Sequence, residues 1–261
     1  MSTPVGYVPR FEVSAPPVAA RPFGLFSVAA EGATLEDSGV FERGAAYWST
    51  ACDLTTGSLD GWCPSGEKEM EPFAPVRVEG SPFVITSGVF CYAPTFDAET
   101  AARAQLARGE QYRAENIFWE QQTTRLDLAE LGQQSTAACA LGVLEAHAAR
   151  HYGGSPVLHV PVRYMPVLVA ARLVQRDGDR MVTPWGTRVV VGAGYPGGSD
   201  ATELTLLITG ELGMWRSDVI ANADFDVRTN ERMAIAERLY VLTADCLAAS
   251  VTVPACPGGD L

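Results

Sequence analysis

Lysine is almost missing from this chain. Lys68 is the only one in 261 residues, and lysine plus arginine number 19 against 31 aspartates and glutamates, for a formal net charge of −12. A surface that grips a phosphate backbone needs clustered cations, so this balance argues against a general nucleic-acid-binding face. Histidine is scarce too, at three. His147 and His151 stand four apart, a spacing that puts two imidazoles on one side of a helix. The order His-Glu-x-x-His does not occur around Glu145, and His159 belongs to a separate strand-like run. Six cysteines (Cys52, Cys63, Cys91, Cys139, Cys246 and Cys256) contain no Cys-x-x-Cys pair. Scattered in this way, with Cys139 and Cys246 in Ala/Leu surroundings that read as core, they are expected to be free thiols and not a disulfide framework. Cys52 and Cys63 flank a glycine-rich loop and could pair, but two ligands are too few for zinc.

Other absences narrow the field further. There is no Gly-x-Ser-x-Gly elbow, and Gly192-Ala193-Gly194 is followed by Pro196 with no lysine at phosphate-loop spacing. Asp218, Asp224 and Asp226 read as carboxylates of a solvated bend. Neither a catalytic constellation nor a cofactor site is expected. The opening MSTPVGYVPRFEV lacks the apolar stretch of a signal peptide, and no run is long enough to span a membrane. The expectation is a soluble protein made inside a cell.

What is present is 47% hydrophobic residues, enough for one large domain or two intimately packed ones. Residues 1–34 hold Pro4, Pro9, Pro16, Pro17 and Pro22 among isolated apolar residues, and so should run extended as an arm. Such a segment buries too little to fold alone, which makes Phe11, Phe23 and Phe26 candidate anchors on neighbouring chains. A short helix is expected near Ser38 to Thr50, then a glycine-rich loop around Trp62. Two extended segments, Val76–Val78 and Phe83–Ile85, flank Glu79-Gly80-Ser81-Pro82, and a third follows at Val89–Tyr92. Asp97 can cap a long helix to Gln122, with Glu99 in its first turn and alanines throughout. A second helix, about Ser135 to Arg150, places Ala137, Leu141, Leu144 and Ala148 on one stripe.

Beyond it come a strand at Pro156–Val160, a helix at Arg163–Val174 with Met165, Leu168, Val169 and Leu173 inward, an Asp177-Gly178-Asp179 turn, and a buried Val189–Val191 strand after Trp185-Gly186. From Glu203 the text reads as strands, interrupted by a bend at Asp224, Asp226, Thr229 and Asn230. In 231–242, Met233, Ile235, Leu239 and Val241 share one parity and Arg232 and Arg238 the other, which reads as a half-buried strand. Ile235, Leu239 and Leu242 also fall at helical spacing, so a helix stays open there. Trp185, Val190, Leu239 and Val241 are expected in the core.

This order of elements, with Trp185-Gly186 before Val189–Val191 and Asn230 leading through Ala236-Glu237-Arg238-Leu239 to a terminal strand, resembles the major capsid protein of tailed bacteriophages, the Hong Kong 97-type fold. The resemblance is best over 135–253. It implies an α+β chain: an N-terminal arm and connecting segment (1–70), an extended two-stranded loop (71–96), a peripheral domain with a spine helix (97–130 and 214–245), and an axial domain (131–213 and 246–261). It implies a virion shell protein assembled in the host cytoplasm, with no enzymatic step and no membrane. Its partners would be many copies of itself as pentamers and hexamers, packaged double-stranded DNA without sequence-specific contacts, and scaffolding, portal or decoration proteins. Two strands alone are marginal in water, so Phe73, Phe83, Ile85 and Phe90 of the extended loop become candidate contacts between subunits. The alternatives are an encapsulin-like nanocompartment shell, or a metal-dependent hydrolase centred on His147 and His151.

Overall fold

The computed structural model describes residues 21–31, 39–52, 54, 74–91, 97–198, 200–229 and 231–255. Phe11 and Phe73 lie outside them. In chain order the elements are α1 (Leu25–Val28), β1 (Ala30–Glu31), α2 (Gly39–Arg43), β2 (Ala45–Ser49), β3 (Val76–Gly80), β4 (Pro82–Cys91), α3 (Ala98–Thr123), β5 (Ala129–Gln133) and α4 (Ala137–His151). There follow β6 (Val157–Pro161), a 3-10 turn (Val162–Tyr164), α5 (Met165–Ala170), β7 (Gln175–Asp177), β8 (Arg180–Val182), β9 (Arg188–Gly192), β10 (Glu203–Thr209), β11 (Leu212–Arg216), β12 (Ile220–Asp226), β13 (Glu231–Ala244) and β14 (Ala248–Pro254).

Two sheets organise these elements. The smaller runs β1-β11-β13-β12, with β4 along the other edge of β13. The larger has the order β5-β14-β10-β6-β9-β8-β7. A third, two-stranded ribbon pairs β2 with β3, from Ala45 opposite Gly80 to Ser49 opposite Val76. The 14-residue β13 serves both neighbours of the smaller sheet: its first half pairs with β12, its last with β11.

The two long helices form where local signals place them. Asp97 accepts the Thr100 backbone N–H at 3.0 Å, capping α3, and Glu99 pairs with Arg103 one turn on. Ala102, Leu106, Ala114 and Phe118 are buried along α3, in a cluster with Ile85, Ala236, Tyr240 and Leu242 of the smaller sheet. Gly109 faces open space, so the missing side chain leaves no hole. Thr136 caps α4, which buries Ala137, Leu141, Leu144 and Ala148 against Leu206, Ile208 and Val251. Val157, Val190 and Leu207 point instead into the α3 cluster. The central strands of the larger sheet are thus covered on both faces, which explains their unbroken apolar runs.

Several expectations are corrected. The 38–50 region is a short helix followed by strand β2, not one helix. Val76–Val78 and Phe83–Ile85 are extended but do not pair with each other: β3 pairs with β2, and β4 pairs with β13 along its length. The described part of the segment assigned to an extended loop at 71–96, residues 74–91, is therefore divided between the ribbon and the smaller sheet. Residues 220–226 are strand, and the bend is confined to the turn after it, where Asp226 accepts the Arg228 N–H. The helix expected over 163–174 stops at Ala170, because Arg172 takes a positive φ of 59°. Over 231–242 the strand reading holds, but its inner face is the even set. Ala234, Ala236, Tyr240 and Leu242 are buried, while Ile235 is 52% exposed. Trp185 is 84% exposed, not core. Val190 and Val241 are buried, and Leu239 is half-buried.

The cysteine reading is overturned at two positions. Cys52, just past β2, forms a disulfide with Cys246 in the turn between β13 and β14, 194 positions away. Cys246 is buried as expected, whereas Cys139 is an exposed free thiol on α4.

Candidate assembly surfaces

The N-terminal segment from Arg21 docks on its own chain. Leu25 is buried, the Phe23 carbonyl accepts the Val191 N–H at 2.8 Å, and Phe26 stacks on Tyr240 with centroids 5.7 Å apart. The Glu115 side chain of α3 holds this junction. One of its oxygens accepts from Leu25 N at 3.2 Å and Gln111 Nε2 at 3.0 Å, and the other from Gly194 N at 2.9 Å. Burying a carboxylate without a cation is costly, and three N–H donors offset that cost. Space is also tight: a Cβ at Gly194 would lie 2.1 Å from the Tyr112 carbonyl oxygen. Phe23 and Phe26 are thus half-buried within one chain, which corrects, for the described residues 21–31, the expectation that the arm over 1–34 is ordered only by neighbours.

Among the described residues, two apolar surfaces remain open. One is the outward face of the ribbon, where Trp48 is 63% exposed and Arg77, opposite it in register, lies 6.0 Å over its ring. The inward face puts Val78 and Ser49 against the body. The other is the face of the smaller sheet away from α3. On β4, Val84 and Phe90 point there, paired with Leu239 and Met233 of β13. Ile235 lies between them, and Ile220 of β12 pairs with Glu237 on the same face. Phe90 is 67% exposed, and Val84, Ile220 and Ile235 are each exposed by about half. Contiguous exposed apolar area of this kind marks interaction surfaces. Of the expected contacts on β4, Phe90 belongs to this face. Phe83 is half-buried and stacks on Tyr240 at 5.6 Å. Ile85 is 5% exposed beneath α3, a core residue and not a contact.

A third projection is the turn carrying Trp185. Gly186 N donates to the Thr183 carbonyl and Thr183 N to the Thr187 carbonyl, each at 2.9 Å. The Thr183 and Thr187 hydroxyls both donate to Glu145 Oε1 of α4, at 2.5 and 2.9 Å. Gly186 has a φ of 89°, which a side chain would resist. The result is a rigid support for an exposed indole.

Among the described residues, the titratable groups do not converge on a reaction centre. His147 and His151 sit side by side with ring centroids 4.5 Å apart. Partial burial, His151 and Arg150 hold the His147 pKa below its usual value. Among the described residues no group of three or more His, Cys, Asp or Glu could hold a metal ion. His159, fully buried, bridges the Tyr195 hydroxyl (2.8 Å) and the Thr209 hydroxyl (2.9 Å). Thr209 gives its own proton to the Gly210 carbonyl, so Nε2 of His159 donates and Nδ1 accepts from Tyr195. Burial pushes the His159 pKa down to about 3 and raises that of Tyr195. This is a satisfied core network. Glu110 binds Arg238 and accepts from the Tyr240 hydroxyl at 2.6 Å, anchoring α3 to β13.

No protein-family model matches the chain, and no curated protein matches its sequence. Solved structures do. The capsid of Ralstonia phage GP4 is 11% identical, covers 100% of both chains and superposes with a TM-score of 0.58. This is the Hong Kong 97-type capsid fold. A second structure with this capsid fold, the capsid of a native GTA particle, is 12% identical over 95% of this chain and 96% of the other, with a TM-score of 0.57. The SrpI encapsulin of Synechococcus elongatus is 9% identical, at a TM-score of 0.51, over 72% of this chain and 79% of its own. Against the Hong Kong 97-type frame, sequence reasoning missed Trp48, Val84, Ile235 and Trp185 as surface residues. The signal available for the first three was strand parity, once β2 and β4 have their partners.

Proposed function

We propose that this chain is the major capsid protein of a tailed phage, many copies of which form the pentamers and hexamers of an icosahedral shell around double-stranded DNA. The observation that carries the reading is coverage: a phage capsid subunit matches all of this chain with all of its own. The apolar faces left open by one chain agree with it, since an isolated subunit leaves Trp48, Phe90 and Ile235 in water and large apolar contacts are what obligate assemblies bury.

In this reading the larger sheet with α4 is the axial body, and the smaller sheet with α3 as spine helix is the peripheral one. The β2–β3 ribbon is the extension that reaches a neighbour. Trp48, Phe90, Ile235 and Trp185 make contacts between subunits, and Phe23, Phe26 and Phe83 contribute the edges they leave exposed. Phe11 and Phe73 remain proposed contacts from the sequence. The role is structural, with no catalytic step, in the virion after assembly in the host cytoplasm. A net charge of −12 lets DNA enter without adhering, because like charges repel. Scaffolding, portal or decoration proteins would be further partners.

Electron microscopy of purified protein, with a nuclease-protection assay on the particles, tests the proposal. Closed shells with protected DNA are expected from infected or producing cells. A species of about one chain mass under all conditions would overturn it. A nanocompartment is the second reading, favoured by the encapsulin likeness over 72% of the chain. Shells enclosing an enzyme and no DNA would select it.

A further inference from the structure

The Cys52–Cys246 pair joins two regions of opposite character. Cys246 sits in the tight turn that carries the chain from β13 in the smaller sheet to β14 in the larger. Every side of that turn is braced. Asp245 N donates to the Glu211 carbonyl at 2.9 Å and Gly210 N to the Leu247 carbonyl at 3.0 Å. Tyr152 donates to Asp245 Oδ2 at 3.0 Å, and Arg125 reaches the Asp245 and Cys246 carbonyls at 3.4 and 3.3 Å. This is a fixed anchor.

Cys52, in contrast, lies at the far end of a ribbon only two strands wide, three residues past Ser49. At its near end the ribbon is pinned by close backbone approach: a Cβ at Gly80 would lie 2.5 Å from the Leu242 carbonyl oxygen, and one at Gly44 would lie 2.3 Å from that of Gly80. Toward the far end, among the described residues, Val78 joins the core and Ala51 and Cys52 pack only partly against it, so the non-covalent ties of residues 51–52 are weaker than those of the ribbon's middle. The Ala51 carbonyl accepts from Gly153 N at 2.7 Å, and Ser49 Oγ donates to Cys246 Sγ at 3.2 Å. The covalent bond is the strongest hold on that end.

We propose that this pair is an oxidation-driven lock on the ribbon, open as two thiols while subunits assemble and closed afterwards. The proposal rests on the shell reading above. Inside a cell the thiol pool keeps such pairs reduced, and a ribbon free at one end can lift and settle against a neighbour. On exposure to an oxidising medium, the half-buried Cys52 thiolate attacks a small disulfide such as oxidised glutathione and expels one thiolate. Cys246, deprotonated, then displaces the second, so that two protein thiols lose two protons and two electrons and the small disulfide becomes two thiols. From then on the far end of the ribbon cannot leave the body.

The test uses the full chain in two states. Particles from cells lysed into an alkylating reagent are compared, by non-reducing peptide mapping, with particles incubated in oxidised glutathione. Exposed Cys139 serves as the internal control and should be alkylated in the first sample. Cys52 and Cys246 should be alkylated there as well, and joined in the second. Hydrogen exchange at Ala45–Ser49 and Val76–Gly80 should slow by about tenfold or more on oxidation, since a covalent link suppresses local opening, and Cys52→Ser should abolish that change. A pair already joined at lysis, a pair that never joins, or ribbon exchange indifferent to oxidation would each overturn the lock. Exchange is also measured on unassembled chain, so a failure to form shells condemns the shell reading while the clamp is still judged.

Discussion

Glu115 accepts the backbone N–H of Gly194, 79 positions away, at 2.9 Å, and through its other oxygen that of Leu25, 90 positions away. One carboxylate on α3 thus ties the N-terminal segment and the loop after β9 to the same helix. Replacing Glu115 by Ala strands buried donors, each costing about 1–3 kcal/mol. The expected result is a loss of roughly 3 kcal/mol or more in chemical denaturation, with earlier proteolysis near Phe23. A variant as stable as the parent would show that water or neighbours take over the donors.

His159 makes stability depend on acidity with a defined sign. Its folded pKa is depressed to about 3 from an ordinary 6.5, so its contribution is complete above pH 6.5 and is lost as pH falls from there toward 3. Below about pH 6 the loss from this group approaches ~1.4 kcal/mol per pH unit. The unfolding free energy of the parent minus that of His159→Gln, measured from pH 7 to 4, should decline along this line. A flat difference would mean the histidine is charged in the folded chain.

Trp185→Ala should leave the unassembled chain almost untouched, within about 0.5 kcal/mol, because the indole contributes little inside its own subunit. Shell yield should drop severalfold, as expected when an aromatic anchor is removed from an interface. Normal yields measured by sedimentation would remove Trp185 from the contacts.

The two faces of β13 give a paired test. Ala236→Leu pushes extra volume under α3 and should cost about 1–3 kcal/mol. Ile235→Ser on the outer face should change monomer stability by less than about 1 kcal/mol yet weaken assembly. The reverse ranking in melting experiments would put the odd residues inside.

The two helices were legible because their signals are local. A capping aspartate or threonine and a stripe of small apolar residues need no distant partner. The parity of β13 misled because the first half of its inner face is built from Ala234 and Ala236, which let the helix approach closely, while Met233 and Ile235 beside them face out. Apolar periodicity reports burial in one chain only when the other face is polar. β2 was read as helix because Ala45 and Ala46 favour one and its partner β3 lies across 26 intervening residues. The Trp185 turn and the Cys52–Cys246 bond depend on pairings, with Glu145 and across 194 positions, that spacing along the chain does not encode. The candidate contacts divide for the same reason: Phe90 is exposed and Ile85 buried on one strand, and only its register on β13 separates surface from core.

The braced turn at residues 245–247 has a mechanical consequence. β13 passes into β14 through three residues held by Arg125, Tyr152 and the backbone of Gly210 and Glu211, so the two sheets are joined there like parts of one plate. Bending such a plate would break several backbone bonds together. In the proposed shell, curvature would then arise at the seams between plates, and changes made at the seams should alter particle diameter before they alter the subunit.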